Sequence, residues 1–146
     1  MKYKTVIDPE REEEVLIYAH RRSKLVEEIE ALAERGSKEW IGYDDQRQIL
    51  QFSSHEVYCF ISEANKVFAI TTHGRLAIKE RLYLLEELLD DSFVRLNQSC
   101  IANIRMIERF DASFSGTLSV VFQNGYRDYV SRRQLKIVKE RVGIKR

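Results

Sequence analysis

The sequence predicts a mainly β domain with minor α content, of the α+β class, preceded by a small β-β-α unit. From Trp40 onward, short apolar segments recur with even spacing between stretches of turn chemistry, which argues antiparallel β. Asn124-Gly125 stands between two apolar runs and is the strongest short-range hairpin signal, because both turn residues must accept positive φ. Helical spacing is confined to three short stretches.

At 146 residues the chain is one ordinary domain, or one domain with an extension, and can bury roughly two-thirds of its unfolded surface. With 44% hydrophobic and 32% charged residues and a single Pro, the composition excludes a disordered or fibrous chain. No apolar run approaches the ~18 residues that span a bilayer, and Met1 to Asp8 lacks an apolar core of signal-peptide length. The expected compartment is therefore the cytoplasm. Cys59 and Cys100 both sit inside apolar stretches and read as small buried thiols in a reduced environment.

Residues 1–36 read as a unit of their own. Lys2 to Ile7 alternates like a strand, Asp8-Pro9-Glu10 turns, and Val15 to Ala19 suits a second strand. Ser23 stands at a helix N-cap position, followed by Leu25, Ile29 and Leu32 at helical spacing and an Arg35-Gly36 stop. Residues 37–146 then form the β region. Trp40 to Tyr43 and Ile49 to Phe52 flank Asp44-Asp45-Gln46, Val57 to Ile61 leads into the Ser62 to Lys66 loop, and Val67 to Thr71 turns at Thr72-His73-Gly74 into Leu76 to Ile78. Lys79 to Leu89 is a helix with Leu82, Leu85 and Leu89 on one side. Ile104 to Phe114, Thr117 to Phe122 and Tyr126 to Val130 give two hairpins. Ser131-Arg132-Arg133-Gln134 fits a capping box opening a last helix, with Leu135, Val138 and Val142 as its buried edge.

Two segments run from a strand directly into polar side chains: Phe93 to Asn103, and Tyr129 to Gln134. Long hydrogen-bonding groups held at two edges of a rigid scaffold suit the reading of nucleic acid. Charge agrees. Residues 1–50 carry 9 Lys+Arg against 12 Asp+Glu, a net −3, while residues 51–146 carry 15 against 11, a net +4. The last 20 residues hold 8 basic and 2 acidic side chains, an electrostatic footprint for phosphate. Arg132 and Arg133 would lie in the first helical turn, where free amides already favour an anion; the alternative is an internal ion pair to Glu63 or Asp111. No metal-ligand spacing joins His20, His55, His73 and the cysteines, and no phosphate loop or nucleophile motif occurs, so an enzyme is not expected.

The order of the Glu63-Ala64-Asn65 loop, Leu-rich helix, Phe93-Val94-Arg95-Leu96-Asn97-Gln98-Ser99, Ala102-Asn103, Asn124-Gly125 hairpin and Val130-Ser131-Arg132-Arg133 resembles the LytTR family of bacterial DNA-binding domains over about residues 37 to 142. The resemblance implies an elongated, mostly β domain that inserts loop side chains into successive major grooves of promoter DNA. It puts base-reading positions near Asn65 or Lys66, on Gln98 and on Arg133, with Asn97 beside Gln98. Where the family commonly has His-Arg-Ser, this chain has Asn97-Gln98-Ser99. Gln suits the adenine N6/N7 edge and Arg the guanine O6/N7 edge, each bidentate pair discriminating by about 1 to 3 kcal/mol, so Gln98 points to adenine. Arg133 is a guanine or a phosphate contact, and Ser99, Arg132 and Lys136 are suited to phosphate. Asn103 is expected to tie down the Gln98 loop from within.

The expected function is sequence-specific binding of double-stranded promoter DNA in transcription regulation, without enzyme activity, cofactor or metal. Family members often occupy repeated sites as pairs, which leaves a homodimer or paired binding open. Residues 1–36 are too few for a doubly wound receiver domain. Regulation is expected to act through that acidic extension, by self-association or by sequestration at a membrane-bound partner protein. The competing expectation is a protein-interaction module whose basic C-terminal face binds an acidic partner.

Overall fold

The computed structural model describes residues 1–36 and 39–144. The chain divides into two compact units, Met1–Glu34 and Arg35–Arg146. The expected boundary at 36/37 touches residues 37 and 38, which lie outside the described residues, as do Lys145 and Arg146 of the basic tail.

In the first unit, helix α1 (Lys24–Gly36) forms where the apolar spacing predicts it. Ser23 starts it: its carbonyl accepts from the Glu27 N–H at 3.1 Å and its Oγ from the Val26 N–H at 3.3 Å, giving first-turn amides the acceptors a helix start lacks. Arg22 grips Glu30 through both terminal nitrogens, at 2.7 and 3.0 Å, and this hydrogen bonding holds the Glu30 carboxyl below its usual value. The two strands expected before the helix do not form. Residues 1–22 contain only a turn at Pro9 and Glu10, closed by the Arg11 N–H donating to the Asp8 carbonyl. Alternation alone is insufficient here, because two short strands without a third are marginal in water.

In the second unit, β1 (Glu39–Tyr43) and β2 (Ile49–Ser53) form a hairpin, and β3 (Val57–Glu63), β4 (Lys66–Thr71) and β5 (Gly74–Ile78) a meander. Helix α2 (Leu82–Leu88) leads to the hairpin β6 (Phe93–Asn97) and β7 (Cys100–Asn103). These strands join in the order β2-β1-β5-β4-β3-β7-β6. A second sheet, ordered β10-β9-β8, comprises β8 (Ile107–Ala112), β9 (Leu118–Phe122) and β10 (Arg127–Val130), and helix α3 (Leu135–Val142) closes the unit. The Asn124-Gly125 hairpin lies between β9 and β10 as predicted, Gly125 having φ +89°.

Side chains alternate across β3 and so build two cores. Phe60 joins Trp40, Phe52, Leu76, Leu82, Leu85, Phe93 and Ile101 on one face, whereas Cys59 and Ile61 join Leu96, Cys100, Val120, Phe122, Val130 and Val138 on the other. Among the described residues, one strand-paired residue pair, Tyr43–Ala77, joins β1 to β5. In a flat sheet three strand spacings, about 14 Å, would separate β1 from β3. The Trp40 and Phe60 ring centroids are 5.8 Å apart, so the β1–β2 hairpin folds back over the central sheet. Gly42 permits this approach: a Cβ there would stand 2.8 Å from the Leu76 Cβ.

Helix α2 begins at Leu82 and not at Lys79, because Arg81 stays extended (φ −82°, ψ 154°). The segment from Ile104 opens with a 3₁₀ turn (Ile104–Met106) before β8. Both cysteines are free and buried; the Cys59 thiol beside it and burial push the Cys100 thiol well up. No helix among the described residues is long and apolar enough to cross a membrane.

Candidate nucleic-acid interface

Strand register brings the two hairpin turns Ala64-Asn65 and Gln98-Ser99 to one end of the central sheet. Cys59 pairs with Ala102 and Ile61 with Cys100, and the Ser62 N–H donates to the Ser99 carbonyl at 2.9 Å. With β4-β3-β7-β6 adjacent, the centres of the two turns stand two strand spacings, about 10 Å, apart. The end of β10 docks beside them, its Ser131 N–H donating to the Leu96 carbonyl at 2.9 Å.

The Gln98 turn is built by Asn97. Its Oδ1 accepts from the Ser99 N–H at 2.8 Å, an Asx-type turn, and its Nδ2 donates to Asp128 Oδ1 at 3.0 Å and to the Tyr129 carbonyl at 2.8 Å. A register irregularity between Arg95 and Asn97 turns that side chain inward, where it is 2% exposed. Asn97 thus leaves the set of expected direct contacts, since it is buried and both of its amide hydrogens are used inside the protein. Gln98 and Ser99 are exposed. Arg95 adds a further restraint, donating to the Gln98 carbonyl at 2.9 Å and pairing with Glu86. Asn103 does not hold this loop, contrary to expectation: it is buried at the other end of β7, donating to the Val57 carbonyl at 2.9 Å and accepting from the Arg105 N–H. Sequence reasoning missed Arg95 and Asp128. The available signal was a lone Arg inside the otherwise apolar Phe93 to Leu96 strand.

At the third position the expected capping box is absent. Residues 132–134 form a turn, and α3 starts at Leu135 with Gln134 at its N-cap and no side-chain cap. Ser131 instead uses its backbone: the carbonyl accepts from the Gln134 N–H at 3.0 Å while its N–H holds β6. The tertiary bond to Leu96 fixes Ser131 at the strand end, so Arg132 and Arg133 lie in the turn ahead of the helix. Both are exposed, and among the described residues neither makes an ion pair. Glu63 is paired with Arg75, and Asp111 with Arg109 and Arg127 at 3.1 and 3.0 Å. The tail is less available than its charge suggests. Arg127 is engaged with Asp111, and Arg141 donates to the Asp91 and Phe93 carbonyls at 2.6 and 2.9 Å, anchoring α3. Lys136 is exposed on α3. Gln98 and Arg133 line one open cavity of about 550 Å³ together with Asn97, Tyr129, Ser131, Gln134 and the Arg95–Glu86 pair.

The Ala64-Asn65 turn has both residues at positive φ, +52° and +63°, as a two-residue turn of the I′ type requires. It is shorter than the Ser62 to Lys66 loop expected from sequence, because β3 runs to Glu63 and β4 starts at Lys66. Asn65 and Lys66 are exposed, and Arg81 Nη1 donates to the Asn65 carbonyl at 3.2 Å. Among the described residues, no three His, Cys, Asp or Glu side chains are grouped to hold a metal ion.

A family model described as LytTr DNA-binding domain matches residues 47–143. The chain belongs to the LytTR family. Two relatives from Staphylococcus aureus, strains NCTC 8325 and MRSA252, are each named as an HTH-type transcriptional regulator. Each is 34% identical to this LytTR chain over 104 residues, 71% of this chain and 70% of the relative. A solved LytTr DNA-binding domain from Bacillus cereus superposes with a TM-score of 0.67 at 21% identity, covering 73% of this chain and 99% of that one. At that identity the likeness establishes a shared LytTR fold.

Proposed function

We propose that this LytTR chain is a transcription regulator that binds duplex DNA sequence-specifically, with loop side chains entering the major groove. The observation that carries the reading is the meeting of Gln98 and Arg133 in one open cavity, both exposed, from segments 35 positions apart in the chain. A third exposed tip, Asn65-Lys66, stands at the same end of the sheet. Gln98 reads an adenine edge and Arg133 a guanine edge, while Ser99, Arg132 and Lys136 meet phosphates. The relatives are named HTH-type, but in this chain the second unit's two described helices are separated by five strands, which supports reading by loops.

The acidic residues 1–36 are the regulatory or dimerisation extension of this reading. A homodimer, paired binding on repeated sites, or a membrane-bound partner would act through them, and the DNA-bound state is cytoplasmic. Removing the extension changes regulation or oligomeric state and spares the DNA contacts.

Gel-shift titration on promoter fragments at several salt concentrations tests the reading. Affinity should fall with a slope of about 0.9 per neutralised phosphate and differ between fragments. Equal affinity for every fragment would overturn it, and would leave a basic face suited to an acidic protein partner.

A further inference from the structure

A second concavity, of about 630 Å³, lies on the side of the Asn65 turn away from Gln98. We propose that it is an additional phosphate cradle, holding the sugar-phosphate backbone of the duplex just outside the step read at Asn65. The inference rests on the DNA-binding reading above and extends its footprint.

Four separate parts of the chain supply its cations: Arg47 from the β1–β2 turn, Lys66 from the start of β4, Arg75 from β5, which is paired with Glu63, and Lys79 and Arg81 from the connection after β5. Arg47, Lys66 and Lys79 are exposed, and among the described residues none of them makes an ion pair. Unpaired like charges converging on one hollow repel one another, and an anion there removes the repulsion. Arg47 is held in place. Its φ is +62°, its N–H donates to the Asp44 carbonyl at 3.0 Å, and Asp44 Oδ1 accepts from the Gln46 and Gln48 amides at 2.9 and 2.8 Å. Those bonds fix the Asp44 carboxylate without neutralising it, so Asp44 and Asp45 are both opposing charges in the wall, set against the four cations other than Arg75.

The wall carries two aromatic side chains, Tyr43 and Phe68, and its cations are what suit it to phosphate. Phe68, the aromatic residue facing the hollow from β4, already carries the Arg75 guanidinium 4.0 Å from its ring centroid, so a base stacking there would have to displace a cation. Phosphate oxygens require only donors and positive charge. Because Arg81 also donates to the Asn65 carbonyl, the cradle and the reading turn form one continuous surface.

The test compares full-length wild type with Arg47→Gly, Lys79→Ala, the double variant and Asp45→Asn, on a selected duplex and a scrambled duplex across salt concentrations. Glycine at position 47 removes the charge while accommodating the positive φ. Each single cation loss should lower the salt slope by about 0.9, the double by about 1.8, and weaken both duplexes by the same factor. Asp45→Asn should tighten both. Hydroxyl-radical footprints of the double variant should lose protection on one flank only. Unchanged slopes and footprints in a wild type that still prefers the selected duplex would overturn the cradle alone. A wild type without preference would instead overturn the DNA-reading function.

Discussion

The Asn97 side-chain amide donates to the Asp128 carboxylate at 3.0 Å, joining the turn that presents Gln98 to the strand that leads to Arg133. The two residues lie 31 positions apart in the chain, and their bond gives Gln98 and Arg133, the two side chains proposed to read bases, one frame. A Gln or Arg on an independent loop would lose more freedom on binding, which lowers affinity.

Replacing Asn97 with Ala should therefore damage both stability and reading. The Asp128 and Tyr129 oxygens lose a donor and the Ser99 N–H an acceptor, at a cost of about 2 kcal/mol. Urea unfolding measures the first effect, and sequence selection should reveal relaxed preference at the Gln98 step. Unchanged stability would remove Asn97 from its framing role.

Arg133→Ala and Lys136→Ala should separate base reading from phosphate contact. The first relaxes preference at one base pair by about 1 to 3 kcal/mol, and the second weakens all sequences alike and lowers the salt slope by about 1. Competition binding against single-base operator variants distinguishes them; equal sequence-blind losses would make Arg133 a phosphate contact.

Gly42→Ala should destabilise the second unit by about 1 to 3 kcal/mol, since the new methyl meets the Leu76 Cβ at 2.8 Å where neither backbone is free to withdraw. Thermal melting would read this loss. A variant as stable as wild type would mean that the β1–β2 hairpin does not lie closely on the sheet.

Glu56 predicts a pH dependence. The Ser53 N–H at 3.0 Å lowers its carboxyl pKa against the opposing effect of burial, and His73 Nε2 at 2.5 Å lowers it further. A carboxyl depressed in the folded state contributes stability above its unfolded value, and this contribution is lost as pH falls through the folded one. Glu56→Gln should therefore be less stable than wild type at pH 7, with the difference closing on acidification below about pH 4. Urea midpoints measured across pH would check this, and a pH-independent difference would contradict it.

What could be read from sequence was local. The Asn124-Gly125 turn, the Ser23 helix start, the Leu82 and Leu85 stripe and the polar tip at Gln98 each follow from residues within a few positions of one another. What escaped depends on distant partners. Ser131 looked like a cap but is held by Leu96, Asn97 looked like a contact but is claimed by Asp128, and Trp40 reaches Phe60 only because its hairpin folds over. Alternation at residues 2–7 and 15–19 suggested strands, yet pairing also requires a sheet to join.

The bond from Ser62 to Ser99 has a further consequence. By fastening neighbouring hairpins at their tips, it would make the proposed reading edge a gauge of set width. If Asn65 and Gln98 read separate steps as proposed, an operator with one base pair inserted between those steps should not be matched by stretching the protein. The DNA helix would then have to unwind or bend to restore the fit, and tolerance of altered spacing would be a property of the DNA.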